Sequence, residues 1–125
     1  MEKLKNIPQI TDAEWLVMKV LWEESPLGSC DIIKKLNGTT DWKPKTIKTL
    51  LSRLVAKKAL SYDIARRGYS YYPLVSEDEC AKEESKSFLG RVFNGSLNLF
   101  VKNFIENEEL SIEEIEELKK LLEHK

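Results

Sequence analysis

The chain has 125 residues, 42% of them hydrophobic and 33% charged, which suits one ordinary folded domain or two small ones and excludes a disordered chain. No apolar run approaches the roughly 20 residues of a membrane span, and the opening Met-Glu-Lys-Leu-Lys-Asn has no apolar signal core, so a cytoplasmic protein with no membrane insertion is expected. The formal net charge of −1 conceals a division: residues 1–76 hold 13 Lys and Arg against 8 Asp and Glu, and residues 77–125 hold 7 against 13. Charge segregated in this way suggests a half that binds a polyanion and a half with another task. The two cysteines, Cys30 and Cys80, have no metal-ligand or redox spacing, and the single histidine, His124, lies one residue from the end. No cofactor, metal site or catalytic group is therefore expected, and the chain does not read as an enzyme.

Thr11-Asp-Ala-Glu14 is a capping box that opens a first helix, with Thr11 as N-cap and Glu14 reaching back to it. Trp15, Met18, Leu21 and Trp22 make its apolar stripe, with Val17 at the edge, so both tryptophans read as core; Leu16 and Val20 fall off the stripe. Ser29 is placed to cap a second, short helix that Asn37-Gly38 ends, because both tolerate the left-handed backbone.

After a loop, Pro44 starts a third helix as its first residue, where a missing N–H is harmless. Ile47, Leu50, Leu51, Leu54 and Val55 fill its buried face. Lys45, Thr49, Ser52 and Ala56 point the other way, with Thr46, Lys48 and Arg53 on the flanks. This outer face is basic, hydroxyl-bearing and low in bulk, as a helix lying in a major groove requires. From Lys43 to Arg67 there are 8 basic residues and one acid, Asp63. Two short helices with the second basic outside fit a helix-turn-helix. Ser-Tyr-Asp-Ile-Ala and Tyr-Ser-Tyr-Tyr-Pro then read as two strands around Arg66-Arg67-Gly68, a hairpin wing whose arginines suit phosphates or a minor groove.

Ser76 with Glu79 opens the second half with another capping box. Asn94-Gly95 breaks this helix, and Ser96 caps the next, whose stripe is Leu97, Phe100, Val101, Phe104 and Ile105. Ser111 with Glu114 caps the last, striped with Ile112, Ile115, Leu118 and Leu122, and Glu116 and Lys120 are spaced for an ion pair. Three modest helices cannot bury enough apolar surface alone. A second copy of the same segment is the simplest cover, which makes Leu97, Phe100, Val101, Phe104, Ile105, Ile115, Leu118 and Leu122 the expected interface or local core. Packing onto the N-terminal half is the competing arrangement. The expected class is mainly α with a small β-hairpin wing: a winged helix-turn-helix domain over 1–75 and a helical dimerisation domain over 76–125.

The segments Ile-Thr-Asp-Ala-Glu-Trp (10–15), Trp-Lys-Pro-Lys-Thr-Ile-Lys-Thr-Leu-Leu-Ser-Arg-Leu (42–54), the Arg-Arg-Gly wing and Tyr-Tyr-Pro (71–73) resemble the penicillinase repressor family, which includes the methicillin-resistance and copper-operon repressors. The resemblance covers essentially the whole chain. It implies a bacterial repressor bound as a homodimer to double-stranded operator DNA of dyad symmetry. The outer face of the third helix and the wing tip then make Lys43, Lys45, Thr46, Lys48, Thr49, Arg53, Arg66 and Arg67 the expected DNA-binding set. In the beta-lactam branch it also implies a sensor-activated protease that cuts the dimerisation domain, here at Asn103–Phe104. Copper sensing fits poorly, because no cysteine follows Cys80. Ala59 stands where relatives often have Gly, and a left-handed backbone there would cost about 1 kcal/mol. A winged-helix module that binds an acidic protein is the reading from another class.

Overall fold

The computed structural model describes residues 6–124. Along the chain run α1 (Asp12–Glu23), β1 (Leu27–Gly28), α2 (Ser29–Asn37), α3 (Pro44–Ala56), β2 (Leu60–Ala65), β3 (Gly68–Pro73), α4 (Glu77–Val92), α5 (Leu97–Glu106) and α6 (Ile112–Glu123). Two compact units divide inside α4, the first ending at Glu84 and the second beginning at Ser85. The start of α4 stays with the first unit because Cys80 is buried in that unit's core.

That core gathers Val17, Met18 and Leu21 from α1, Ile32 and Leu36 from α2, and Ile47, Leu50, Leu51 and Leu54 from α3. The α3 stripe is buried as its spacing predicts, with Val55 half-buried at the edge. The α1 stripe is rotated from expectation. Its fully buried positions are Glu14, Val17, Met18 and Leu21, while Trp15 and Trp22 are half-buried beside them. The cause is polar: Glu14 turns inward to meet a lysine from α3, and the tryptophans take the flank. Their rings meet edge to face at 5.4 Å, and the Trp22 indole N–H donates to the Val75 carbonyl at 2.9 Å, tying α1 to the chain that leaves the hairpin.

Three helix ends differ from the sequence reading. Gly28 is the N-cap of α2 and Ser29 its first residue, with no side-chain cap bond. At the other end Gly38 is right-handed (φ −79°), and α2 stops because Thr39 and Thr40 bring both backbone N–H groups and both hydroxyls to the Leu36 carbonyl. The third difference is at α3. Its left-handed residue is Lys58 (φ 67°), and Ala59 is fully buried instead. Lys58 N–H donates to Val55 and Ala59 N–H to Leu54, the paired bonds of a Schellman end. A lysine pays the steric cost that glycine avoids there. Lys58→Gly is therefore expected to stabilise this unit by about 1 kcal/mol, read as a higher urea midpoint with unchanged slope; a lower midpoint would contradict it.

The sheet has the order β1-β3-β2, all antiparallel. β2 pairs with β3 from Leu60↔Pro73 to Ala65↔Gly68, so Arg66 and Arg67 form a two-residue tip, and Gly68 (φ 115°) supplies the backbone that the turn needs. β1, absent from the sequence reading, adds Leu27 opposite Tyr71 and Gly28 opposite Ser70.

In the second unit, Asn94 (φ 52°) and Gly95 (φ 80°) end α4, Ser96 caps α5, and Ser111 and Glu114 complete the capping box of α6. Phe100 is the hub of an aromatic chain, meeting Phe88 at 5.9 Å, Phe93 at 5.4 Å and Phe104 at 4.9 Å. No residue of α5 or α6 is fully buried. Glu116 pairs with Lys119 at 3.8 Å, one residue earlier than its spacing to Lys120 suggests. No helix among the described residues is long and apolar enough to cross a membrane.

Candidate nucleic-acid interface

The exposed side of α3 carries Lys45, Thr46, Lys48, Thr49 and Arg53, with Lys43 as its N-cap residue; all six are solvent-exposed. Arg66 and Arg67 are exposed at the hairpin tip of the same unit. Among the described residues, none of Lys43, Lys45, Lys48, Arg53, Arg66 or Arg67 is engaged in an ion pair. Other lysines of this unit are engaged: Lys19 with Glu77, Lys35 with Glu24, Lys57 with Glu14. The cations on the outer face of α3 and on the wing are thus free to meet an external anion.

Thr49 has a more defined geometry than its residue type suggests. Its hydroxyl donates to the Lys45 carbonyl at 3.0 Å. The proton is spent on the helix backbone, leaving the methyl and an oxygen lone pair to face outward. Such a group can meet a thymine methyl or accept from a base amino group.

The wing is stiffened by aromatics that sequence reasoning counted only as strand formers. Tyr62 and Tyr69 stack at 4.0 Å, and Tyr71 packs against both. Burial raises the Tyr71 phenol above its usual range. The signal was available: residues two apart along a strand share a face, which puts Tyr69 beside Tyr71, and Tyr62 lies directly opposite Tyr71 and diagonal to Tyr69.

In the second unit the expected interface residues divide. Leu97, Phe100, Val101, Phe104, Leu118 and Leu122 line one apolar hollow of about 600 Å³, joined by Leu110 and Leu121, which the sequence reading omitted. Ile105 and Ile115 do not line it; Ile105 is exposed and Ile115 half-buried. Leu97 and Leu122 remain 59% and 73% exposed, which is high for leucines on an apolar stripe. Asn103 is exposed and Phe104 half-buried. Their peptide bond lies in the last turn of α5 rather than at its middle, since the helix ends at Glu106. The Asn103 carbonyl accepts from the Asn107 backbone N–H at 3.2 Å and from Asn107 Nδ2 at 2.9 Å.

A short helix, a basic second helix and a three-stranded sheet whose hairpin ends in two arginines define a winged helix-turn-helix protein. The chain belongs to the penicillinase repressor family, whose family model matches residues 10–124. A penicillinase repressor of Bacillus licheniformis is 48% identical over 120 residues, covering 96% of this chain and 94% of the relative. The methicillin resistance regulatory protein MecI of Staphylococcus aureus is 38% identical over 117 residues, covering 94% and 95%. Among solved structures, the DNA-binding domain of the repressor BlaI aligns over 61% of this chain and 93% of its own, at 45% identity and a TM-score of 0.55. Bacillus licheniformis BlaI in monomeric form, in complex with the blaP half-operator, aligns over the same shares with a TM-score of 0.53.

Proposed function

We propose that this chain is a transcriptional repressor that binds dyad-symmetric operator DNA as a homodimer and controls beta-lactam resistance genes. The observation that carries the reading is the exposed, unpaired basic face of α3 beside the two-arginine wing, on a chain whose relatives are penicillinase and methicillin-resistance regulators and whose solved neighbour is bound to a half-operator. α3 enters the major groove, and Arg66 and Arg67 reach phosphates or the adjacent minor groove. The second unit holds two copies together: the apolar hollow and the exposed leucines around it favour a second copy as the cover. Selection of bound sequences from random duplex DNA tests the reading; two inverted half-sites are expected, and recovery of no common sequence would overturn it.

The same reading assigns roles within the face. Thr49→Ala is expected to weaken operator binding by about 1 kcal/mol more than random-duplex binding, because it removes a base contact. Arg67→Ala is expected to weaken both alike and to flatten the salt slope by about one. Titrations on both duplexes across a salt series check this, and equal behaviour of the two variants would refute the division of roles.

Release follows from cutting the second unit between Asn103 and Phe104 by a protease answering a beta-lactam signal. A protease needs extended backbone, so the last turn of α5 opens first. Two residues beyond that turn, Glu108 has φ 57°, a strained conformation for a non-glycine residue, which favours opening from this end. Exposure of producing cells to a beta-lactam, followed by mass measurement, is expected to yield a fragment ending at Asn103; intact protein on derepressed DNA would mean another switch.

A further inference from the structure

Glu14 is the one charged side chain that is buried among the described residues, at 2% exposure. A carboxylate in that position requires strong partners. Its Oε1 accepts from Lys57 Nζ at 2.6 Å and from the Thr11 backbone N–H at 3.0 Å. Lys57 Nζ also donates to the Gln9 carbonyl at 2.9 Å. The capping box of α1 thus does a second job. It holds a residue 43 positions further along, and that residue is the C-cap of α3.

Location gives this contact its meaning. Lys57 follows Arg53 by one helical turn and precedes Lys58, and both of these are exposed. A free ammonium there would add one more cation to the end of the DNA-facing helix. Each added phosphate contact strengthens binding to operator and random duplex alike, so it adds affinity and salt dependence without adding discrimination. A helix whose end is pinned also keeps its base-reading side chains in one register.

We infer that Glu14 is a positioning residue for operator recognition: it serves as the internal counter-ion of Lys57, pins the C-terminal end of α3 and withholds that lysine from the phosphate backbone. Specificity then depends on a carboxylate that does not touch DNA. The inference rests on the proposed reading that α3 binds operator DNA.

The test uses the full chain on its selected operator and on a random duplex over a range of salt. Glu14→Gln keeps the shape and the acceptor for Thr11 while removing the charge that holds Lys57. It is expected to steepen the random-duplex salt slope by about one and to lower the ratio of operator to random affinity about tenfold. Lys57→Met is expected to leave the slope at its wild-type value, because that charge is not on DNA. The double variant, with neither charge, is expected to restore the wild-type slope and keeps the test decisive where Glu14→Gln alone does not fold. A slope that flattens by about one in Lys57→Met would place Lys57 on a phosphate and overturn the inference. So would a Glu14→Gln chain that is less stable yet keeps the wild-type slope and affinity ratio, which is what a purely structural contact predicts. A wild-type chain with no duplex preference would overturn the DNA reading itself, whereas wild-type preference with unmoved variants would overturn this inference alone.

Discussion

A chain ending at Asn103 is expected to bind its full operator about 10²–10⁴-fold more weakly than the intact protein, while binding a single half-site equally well. One winged helix buries little surface and reads few base pairs. In a dimer the second half-site contact is intramolecular, and the gain comes from effective concentration rather than from any new contact. The cut removes Phe104, Leu110, Leu118, Leu121 and Leu122 from the apolar hollow and all of α6. It leaves the first unit, with α3 and the wing, untouched. Titrating residues 1–103 and the full chain on operators with one and two half-sites measures the difference. A fragment that matched the full chain on the two-site operator would remove the dimer from the mechanism.

Phe100→Ala is expected to destabilise the second unit by about 3–5 kcal/mol and to abolish stable dimers at micromolar concentration. Phe100 meets three other rings, and Phe88 and Phe93 meet each other at 5.9 Å. Losing the hub leaves a cavity in a unit whose last two helices bury no residue fully within one chain. Such a unit has no reserve, because domain stabilities are themselves only a few kcal/mol to about 15 kcal/mol. Sedimentation and helix content by circular dichroism check the outcome. A variant that stays dimeric and helical would mean that the aromatic chain is peripheral to assembly.

Most local signals were read well from the sequence, though not those at the two ends of α2, and long-range ones were not. Pro44, the Thr11, Ser76 and Ser111 capping boxes and the Asn94-Gly95 break act over three or four residues, and each stands where its chemistry puts it. The α3 stripe was legible because its polar face has no competing use. The α1 stripe was misread by a partial turn because nothing near Glu14 in sequence announces Lys57, which neutralises it. Burial pushes the Glu14 carboxyl up, but the Lys57 ammonium and the Thr11 N–H and hydroxyl outweigh it and hold the group below its usual range. Its stabilising contribution is therefore present at neutral pH and is lost as pH falls through that lowered value. Strand β1 escaped because two residues carry no alternation, and only Tyr71 and Ser70, more than 40 positions away, make them a strand. At α2 the Asn-Gly pair suggested a left-handed stop, whereas the following two threonines supply the donors for a right-handed one. The exposed basic residues of α3 and the wing were legible as a charge pattern, but which lysine is consumed inside the protein is a fact of tertiary structure alone.

The aromatic side chains are sorted by unit: Trp15, Trp22, Trp42 and all four tyrosines lie before Glu84, and all four phenylalanines lie after Ser85. Light absorbed at the red edge of the protein spectrum is taken up by indole, so emission from the intact chain reports on the winged unit alone. Trp22, bonded to Val75, is a built-in sensor of whether the hairpin exit is still docked on α1. Circular dichroism in the far ultraviolet sees helices from both units. Recorded on one sample, the two signals separate the melting of the first unit from that of the second, with no label and no fragment.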